Sequence, residues 1–156
     1  MKTNRLIKLL ESMDACHESI EWVRANNITT PADAWSKCDR GDWMLWFAGK
    51  RSGEPEGNGR KKLVLACCEC ARLALPYATS PTVLACIETA EAWAHGKATI
   101  EQVWEAKIAA ATAYAAAAND DAELARDRAL AECAEFVRAQ IRAADIETIA
   151  LKGRTS

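Results

Sequence analysis

The sequence is densest in aromatic residues between positions 35 and 47, which read Trp35-Ser36-Lys37-Cys38-Asp39-Arg40-Gly41-Asp42-Trp43-Met44-Leu45-Trp46-Phe47. This stretch holds three of the six tryptophans in the 156-residue chain. Such large rings have to be buried, and the polar residues 39–42 must then bond to one another or face a partner. Trp43 and Trp46 lie three positions apart, so both rings leave the same face of a helix. We therefore expect a turn at residues 39–42 between two short helices whose tryptophans pack together.

The composition predicts an all-α fold. Half of the residues are hydrophobic, but many of these are alanine, and β-branched residues are sparse. This balance favours helix over sheet. The length suits one domain with one core. The start and stop signals along the chain predict a single-domain α-helical bundle of about six to eight helices over residues 1–156.

Local signals place several helix boundaries. Residues 3–26 show the spacing of one helix or of two. Thr30 followed by Pro31 fits an N-cap and a first helical position. Thr99 and Gln102 fit a capping box, and the helix that follows carries an apolar stripe. The residues of this stripe are Val103, Trp104, Ile108, Ala111 and Ala115.

Three further segments complete the predicted architecture. Leu63 to Leu75 is apolar on nearly all sides, which is typical of a helix in the middle of a bundle. Residues 49–60 contain four glycines and a proline, and this composition predicts a flexible surface loop. Residues 152–156 are expected to form a frayed tail. The central helix should therefore pack against the tryptophan stretch and the C-terminal helices.

Charge and cysteine content narrow the functional classes. A net charge of −2, with both signs mixed along the chain, argues against a nucleic-acid-binding protein, which would show a basic face. Seven cysteines, an odd number that includes the adjacent Cys67 and Cys68, make a poor disulfide framework. Residues 1–10 contain no apolar run long enough for a signal peptide or a membrane span. We expect a cytoplasmic protein with reduced thiols and with neither a membrane nor a nucleic acid as its partner.

The sequence does not assemble a catalytic or metal site. Cys68 points about 100° away from Cys67 on a helix, which differs from the CxxC geometry of a structural zinc site. No nucleophile, base and oxyanion donor occur together. We expect no cofactor, no metal and no catalysis, and a metal-binding or catalytic helical protein is kept as a further alternative. The candidate metal ligands for that alternative are Cys67, Cys68 and Cys70, with Cys16, His17 and Cys38 elsewhere in the chain.

Six residues are candidates for contact with a protein partner. Arg and Trp are typical anchors of interfaces. Arg40 either bonds to a carboxylate or carbonyl and holds two helices together, or it faces a partner beside Trp43. Clustered tryptophans favour the structural alternative, and a solvated loop explains the basic residues around 49–60. The candidates are Arg40, Asp42, Trp43, Lys50, Arg51 and Arg60.

Several segments of the chain together resemble those of one protein family. The chain resembles the immunity-protein family of small all-helical bacterial and phage proteins, and the similarity covers most of its length. The most specific part is the segment Asp42-Trp43-Met44-Leu45-Trp46. The other matching segments are Asp14-Ala15-Cys16, Glu21-Trp22-Val23, Ala34-Trp35, Cys38, Arg40-Gly41, Lys62-Leu63-Val64-Leu65-Ala66-Cys67, Cys70-Ala71-Arg72 and Glu88-Thr89-Ala90-Glu91-Ala92-Trp93-Ala94.

This resemblance implies a function by binding. It implies a non-catalytic inhibitor that neutralises a bacterial protein, such as a toxin, by stoichiometric binding. Because the family also occurs in phages, the alternative is a phage-encoded inhibitor of a bacterial defence system, such as an anti-CRISPR protein. Both alternatives predict a protein partner and leave the oligomeric state open.

Overall fold

The computed structural model describes residues 3–73, 75–77, 81–114 and 123–146. Within these ranges the chain is helical and contains no β-strand, so the predicted all-α bundle is confirmed. The elements are α1 (Thr3–Ser12), α2 (His17–Ala25), α3 (Pro31–Lys37), α4 (Gly41–Arg51), α5 (Asn58–Arg72), a 3-10 turn (Leu75–Tyr77), α6 (Pro81–Ala94), α7 (Ile100–Tyr114) and α8 (Glu123–Gln140).

The first predicted segment, residues 3–26, forms two helices. The chain turns between α1 and α2 at Asp14, whose φ of 59° lies in the left-handed region. Aspartate is one of the few residues besides glycine that tolerate this region. Cys16 then takes the N-cap position of α2 in an extended conformation. The break therefore follows from a local turn of the backbone.

The predicted helix caps are confirmed. The Thr30 hydroxyl accepts a hydrogen bond from the backbone N–H of Asp33 at 3.1 Å. The Gln102 side chain accepts from the backbone N–H of Thr99 at 2.8 Å, and the Thr99 hydroxyl accepts from the N–H of Gln102 at 3.3 Å. Gly96 adopts φ 73° just past the end of α6, as a glycine that ends a helix commonly does.

Half of the predicted loop at 49–60 is helical, so its predicted bounds were wrong. α4 continues to Arg51 and α5 begins at Asn58, so the connection spans only residues 52–57. A Cβ on Gly59 would lie 2.6 Å from the carbonyl oxygen of Ser52. Gly59 thus allows the start of α5 to approach the end of α4, whereas sequence composition had suggested flexibility. The predicted tail at 152–156 lies outside the described residues.

Helix α5 is central, as predicted, but it spans Asn58–Arg72 and not Leu63 to Leu75, because Leu75 lies in the separate 3-10 turn. It packs against α4, α6 and α8, and its residues Leu63 and Ala66 belong to the main hydrophobic core. Arg72, near its end, forms a two-point ion pair with Glu91 of α6, with distances of 3.1 and 2.7 Å. None of the described helices has the length and apolar character that a membrane crossing requires.

Helix α8 fixes the position of α3 and α4. A Cβ on Gly41 would collide with the Cβ of Cys133 and would lie 2.8 Å from backbone atoms on α8. The Trp35 indole N–H donates to the carbonyl oxygen of Ile141 at 2.9 Å. Arg138 donates to the carbonyl oxygens of Trp35 and Cys38 at 3.3 and 2.6 Å. The aromatic stretch at residues 35–47 is therefore held in place by α8 and by Ile141, which follows it.

Candidate protein-binding stripe and tryptophan cavity

A cavity of about 450 Å³ lies among α1, α2, α3 and α4. Aromatic and aliphatic side chains form most of its wall. Its lining also includes the charged residues Asp14, Glu18, Arg40 and Asp42, of which Asp14 and Glu18 are exposed, and we call this charged side its mouth. We call it the tryptophan cavity and define it by six wall residues. These are Trp22, Trp35, Trp43, Met44, Trp46 and Phe47.

The tryptophans of the aromatic stretch surround the cavity, which differs from the expected direct packing of one on another. Trp43 contacts Trp22 of α2 edge-to-face, with ring centroids 6.2 Å apart. Trp35 contacts Phe47, with centroids 6.5 Å apart. Trp43 and Trp46 share one face of α4, as their spacing predicts, and that face lines the cavity. The space among the rings is the feature that sequence reasoning missed.

Three of the six predicted partner-binding residues meet at the start of α4. Arg40 donates two hydrogen bonds to the carboxylate of Asp42, at 3.0 and 2.8 Å. The Arg40 guanidinium also lies 4.3 Å from the ring centroid of Trp43, a distance typical of a cation–π contact. Burial raises the pKa of the Asp42 carboxyl, but the hydrogen bond and charge of Arg40 outweigh burial, so this pKa is lowered. Asp42 therefore pairs with Arg40 within the first turn of α4.

The other three predicted residues lie at the far end of α4 and the start of α5. Lys50 lies 5.7 Å from the ring centroid of Trp46. Arg51 and Arg60 are half-buried beside the connection between the two helices. Ten residues of helix separate Arg40 from Lys50, a distance of about 15 Å. The six residues thus form two separate groups.

Helix α7 exposes a set of large apolar side chains. Val103, Ala106 and Ala110 are half-buried, and α7 packs mainly against α6. On another face, Ile100 is 39% exposed, Trp104 is 56% exposed and Ile108 is 65% exposed. We call Ile100, Trp104 and Ile108 the α7 stripe. Their spacing in sequence predicts one stripe of Val103, Trp104 and Ile108, but the pairing of α7 with α6 puts Val103 on a different face from Trp104 and Ile108.

The cysteines on α5 face different neighbours. The Cys68 thiol donates to the carbonyl oxygen of Ile87 on α6, and the Cys70 thiol donates to the carbonyl oxygen of Cys133 on α8, both at 3.7 Å. Burial raises the pKa of Cys68 to about 12 and also raises that of Cys70. These thiols are protonated at neutral pH, when they are poor nucleophiles and poor metal ligands. In the described part of the chain, no three His, Cys, Asp or Glu side chains are placed to share a metal ion.

The fold and these two features define a class: an all-α helical bundle with an aromatic cavity on one side and an apolar helix face exposed elsewhere. No protein-family model, curated protein or solved structure matches the chain. The resemblance to the immunity-protein family therefore stays a prediction from the sequence segments that carry it.

Proposed function

We propose that this protein is a non-catalytic, immunity-protein-like inhibitor that neutralises a bacterial protein by stoichiometric binding. The observation that carries the proposal is the α7 stripe. Trp104 exposes 56% of its surface and Ile108 exposes 65%. Monomeric soluble proteins rarely expose contiguous large apolar residues unless the surface binds something. The stripe is accordingly proposed as the contact surface for the partner.

The spacing of the stripe supports one mode of recognition. Ile100, Trp104 and Ile108 are four residues apart in sequence, so their side chains follow one line along α7. A helix that offers such a line typically inserts it into an apolar groove of its partner. Tryptophan is also the residue type most enriched among the few that dominate binding energy. Trp104 is thus the proposed anchor.

The charged residues beside the α7 stripe predict which charges the partner's groove would carry. Glu101 and Glu105 lie on one flank of the stripe and Lys107 lies on the other, given 100° per residue. The Lys107 ammonium lies 4.7 Å from the ring centroid of Trp104 and covers part of it. The expected partner therefore offers an apolar groove with basic groups on the side that meets Glu101 and Glu105.

We propose the α7 stripe as the main contact surface instead of the residues around Arg40 that the sequence predicted. Arg40 donates from Nε and Nη2 to the carboxylate of Asp42, and its guanidinium lies over the Trp43 ring. An arginine that is engaged in this way has fewer donors left for a partner. Trp104, by contrast, is exposed and lies on a helix that packs mainly against one neighbour.

The test is affinity capture from a host lysate with the full chain as bait, followed by purification of the captured protein. We expect one dominant partner at a fixed molar ratio, and loss of its own activity when one equivalent of this protein is added. Trp104→Ala should weaken binding by at least about tenfold, as expected for an anchor. Leu84→Ala on α6 is the matched control, because Leu84 is also exposed, at 38%.

The captured partner also distinguishes the two inhibitor roles. A toxin supports the immunity role, and a component of a defence complex supports the phage-encoded alternative. Equal binding by wild type and Trp104→Ala would contradict the assignment of the stripe. A partner that keeps full activity when saturated would contradict the inhibitor function itself.

A further inference from the structure

We propose that the tryptophan cavity binds a small organic cation, with the apolar body of the ligand inside the cavity and its ammonium group at the mouth. The proposal concerns a different surface from the α7 stripe and does not depend on the inhibitor function. It rests on the volume and walls of the cavity, on the bonds that hold those walls, and on the charges at the mouth.

The size and chemistry of the cavity suit a small ligand. Its volume is about 450 Å³, and ligand sites in proteins typically measure about 300–1,000 Å³ with mainly apolar and aromatic walls. Trp22, Trp43 and Trp46 are only half-buried although they line this space. Ring surface therefore remains accessible that an apolar ligand would cover, and its burial would favour binding.

The walls are fixed before any ligand arrives. The Trp35 indole is bonded to the carbonyl oxygen of Ile141 at 2.9 Å. Arg138 holds the carbonyl oxygen of Cys38 at 2.6 Å, just before α4 begins. Arg40 and Asp42 lock each other at the mouth. A preformed site loses less conformational entropy on binding than one that must first be ordered.

The mouth carries an excess of negative charge. Asp14, Glu18 and Asp42 line the cavity together with one cation, Arg40. Arg40 lies in the field of Glu18 as well, but its two-point bonds go to Asp42. Among the described residues, Asp14 and Glu18 form no ion pair. A ligand cation would supply the missing counter-charge.

The aromatic walls favour the same sign of charge. The face of an indole ring is electron-rich and attracts cations, most strongly for tryptophan. Within this cavity one cation already uses such a face, since the Arg40 guanidinium lies 4.3 Å from the Trp43 ring centroid. Acidic groups and tryptophan faces together select a cation over an anion, and the apolar depth selects a hydrophobic body.

The test compares three probes of similar shape and different charge: benzyltrimethylammonium, its neutral isostere neopentylbenzene, and phenylacetate. Binding to the full chain is followed by tryptophan fluorescence and by chemical shifts of the indole N–H groups. We expect the cation to bind about tenfold more tightly than the neutral probe, from its added electrostatic attraction. Phenylacetate should bind more weakly than either.

Matched variants separate the charge from the cavity. Glu18→Gln should weaken the cation several-fold and leave the neutral probe unchanged. Glu21→Gln is the control on the same helix, because Glu21 does not line the cavity and pairs with Arg24. Ala34→Leu adds a side chain into the cavity and should remove binding of both probes, with circular dichroism and thermal melting as checks that the fold persists.

Several outcomes would overturn the proposal. Equal affinity for the cation and the neutral isostere would remove the charge selection. Absence of binding by benzyltrimethylammonium at millimolar concentration, and by neopentylbenzene up to its solubility limit, would remove the site. If benzyltrimethylammonium displaces the captured protein partner, and Trp104→Ala does not weaken that partner, the cavity holds a partner side chain instead. Failure of the α7 experiment alone leaves this result unchanged, since the two surfaces are tested separately.

Discussion

Trp35 and Trp104 belong to regions of opposite construction. Trp35 is 4% exposed, and its indole N–H is bonded across the molecule to the carbonyl oxygen of Ile141. Trp104 is 56% exposed, and the amine of Lys107 from its own helix lies over its ring. One tryptophan ties α3 to the C-terminal part of the chain, while the other contributes little to joining the helices.

The difference between these regions shows which large side chains the fold buries and which it leaves exposed. The region of α3, α4 and α8 is fixed by bonds that span about one hundred residues of sequence, from Trp35 and Cys38 to Arg138 and Ile141. The pair α6 and α7 is tied to α5 through Arg72 and Cys68. We therefore expect substitutions in the first region to change stability, and substitutions on α7 to change binding.

The largest expected effect comes from Trp35→Ala. This change removes a buried ring and its hydrogen bond, so the free energy of unfolding should fall by about 4 kcal/mol. Trp104→Ala should lower it by less than about 1 kcal/mol, since only exposed contacts are lost. Urea denaturation followed by far-ultraviolet circular dichroism measures both values. Similar losses for the two variants would mean that α7 is as important to the fold as α3.

A smaller effect is expected from Gly41→Ala. Its added methyl group would meet Cys133 and backbone atoms of α8 at 2.8 Å, and backbone cannot move aside cheaply. We expect a loss of about 3 kcal/mol in the free energy of unfolding, at the upper end for overpacking. The same urea experiment measures it.

Gly49→Ala is the matched control on the same helix. A Cβ there would meet only the side chain of Leu63, at 3.9 Å, which is an ordinary contact. Alanine also favours helix over glycine, so this variant should be neutral or more stable by up to about 1 kcal/mol. An unchanged stability for Gly41→Ala would show that α4 and α8 can separate without cost, and would contradict the rigid wall assigned to the cavity.

Much of the fold could be predicted from local sequence signals. Thr30 and Thr99 act through atoms a few residues away, so their roles are visible in the sequence. The prediction of a loop at 49–60 was wrong because the role of Gly59 depends on a contact that the sequence does not show. Gly59 is needed because α5 passes close to Ser52. When that contact is not known, the glycine content of this segment indicates a flexible loop.

The candidate sites depend on how helices pair, and this is why the sequence predicted them only in part. The spacing of Trp43 and Trp46 correctly put both on one face, but the cavity depends on how α1, α2, α3 and α4 are arranged around it. Trp104 and Ile108 of the α7 stripe were predicted as apolar residues at helical spacing, but they were grouped with Val103 and not with Ile100. Such spacing normally marks a buried face. Trp104 is exposed because α6 covers a different side of α7.

The smallest expected effect is a pH dependence of stability that arises at the contact between α5 and α6. The Cys68 thiol lies between α5 and α6, and burial followed by the nearby charge of Glu91 raises its pKa from 9.0 to about 12. In the unfolded chain the thiol loses its proton near the lower value, while the native state keeps the proton. The stabilising contribution is therefore complete below the unfolded pKa and is lost as pH rises toward the folded pKa. Between about pH 8 and about pH 10, the free energy of unfolding should fall by about 1 kcal/mol from this thiol.

Cys68→Ala should remove that part of the alkaline loss when unfolding is measured in urea with a reductant present. Cys16→Ala, which alters an exposed thiol, should leave the loss unchanged. Measuring unfolding by both tryptophan fluorescence and circular dichroism also tests whether the regions unfold together. Four of the six tryptophans line the cavity, while circular dichroism reports all helices. Coincident transitions at both pH values would mean that the α5–α6 joint keeps the molecule cooperative. An earlier transition by circular dichroism at high pH would mean that ionisation of Cys68 releases α6 and α7 first, and that the surface proposed for binding is also the less stable part of the fold.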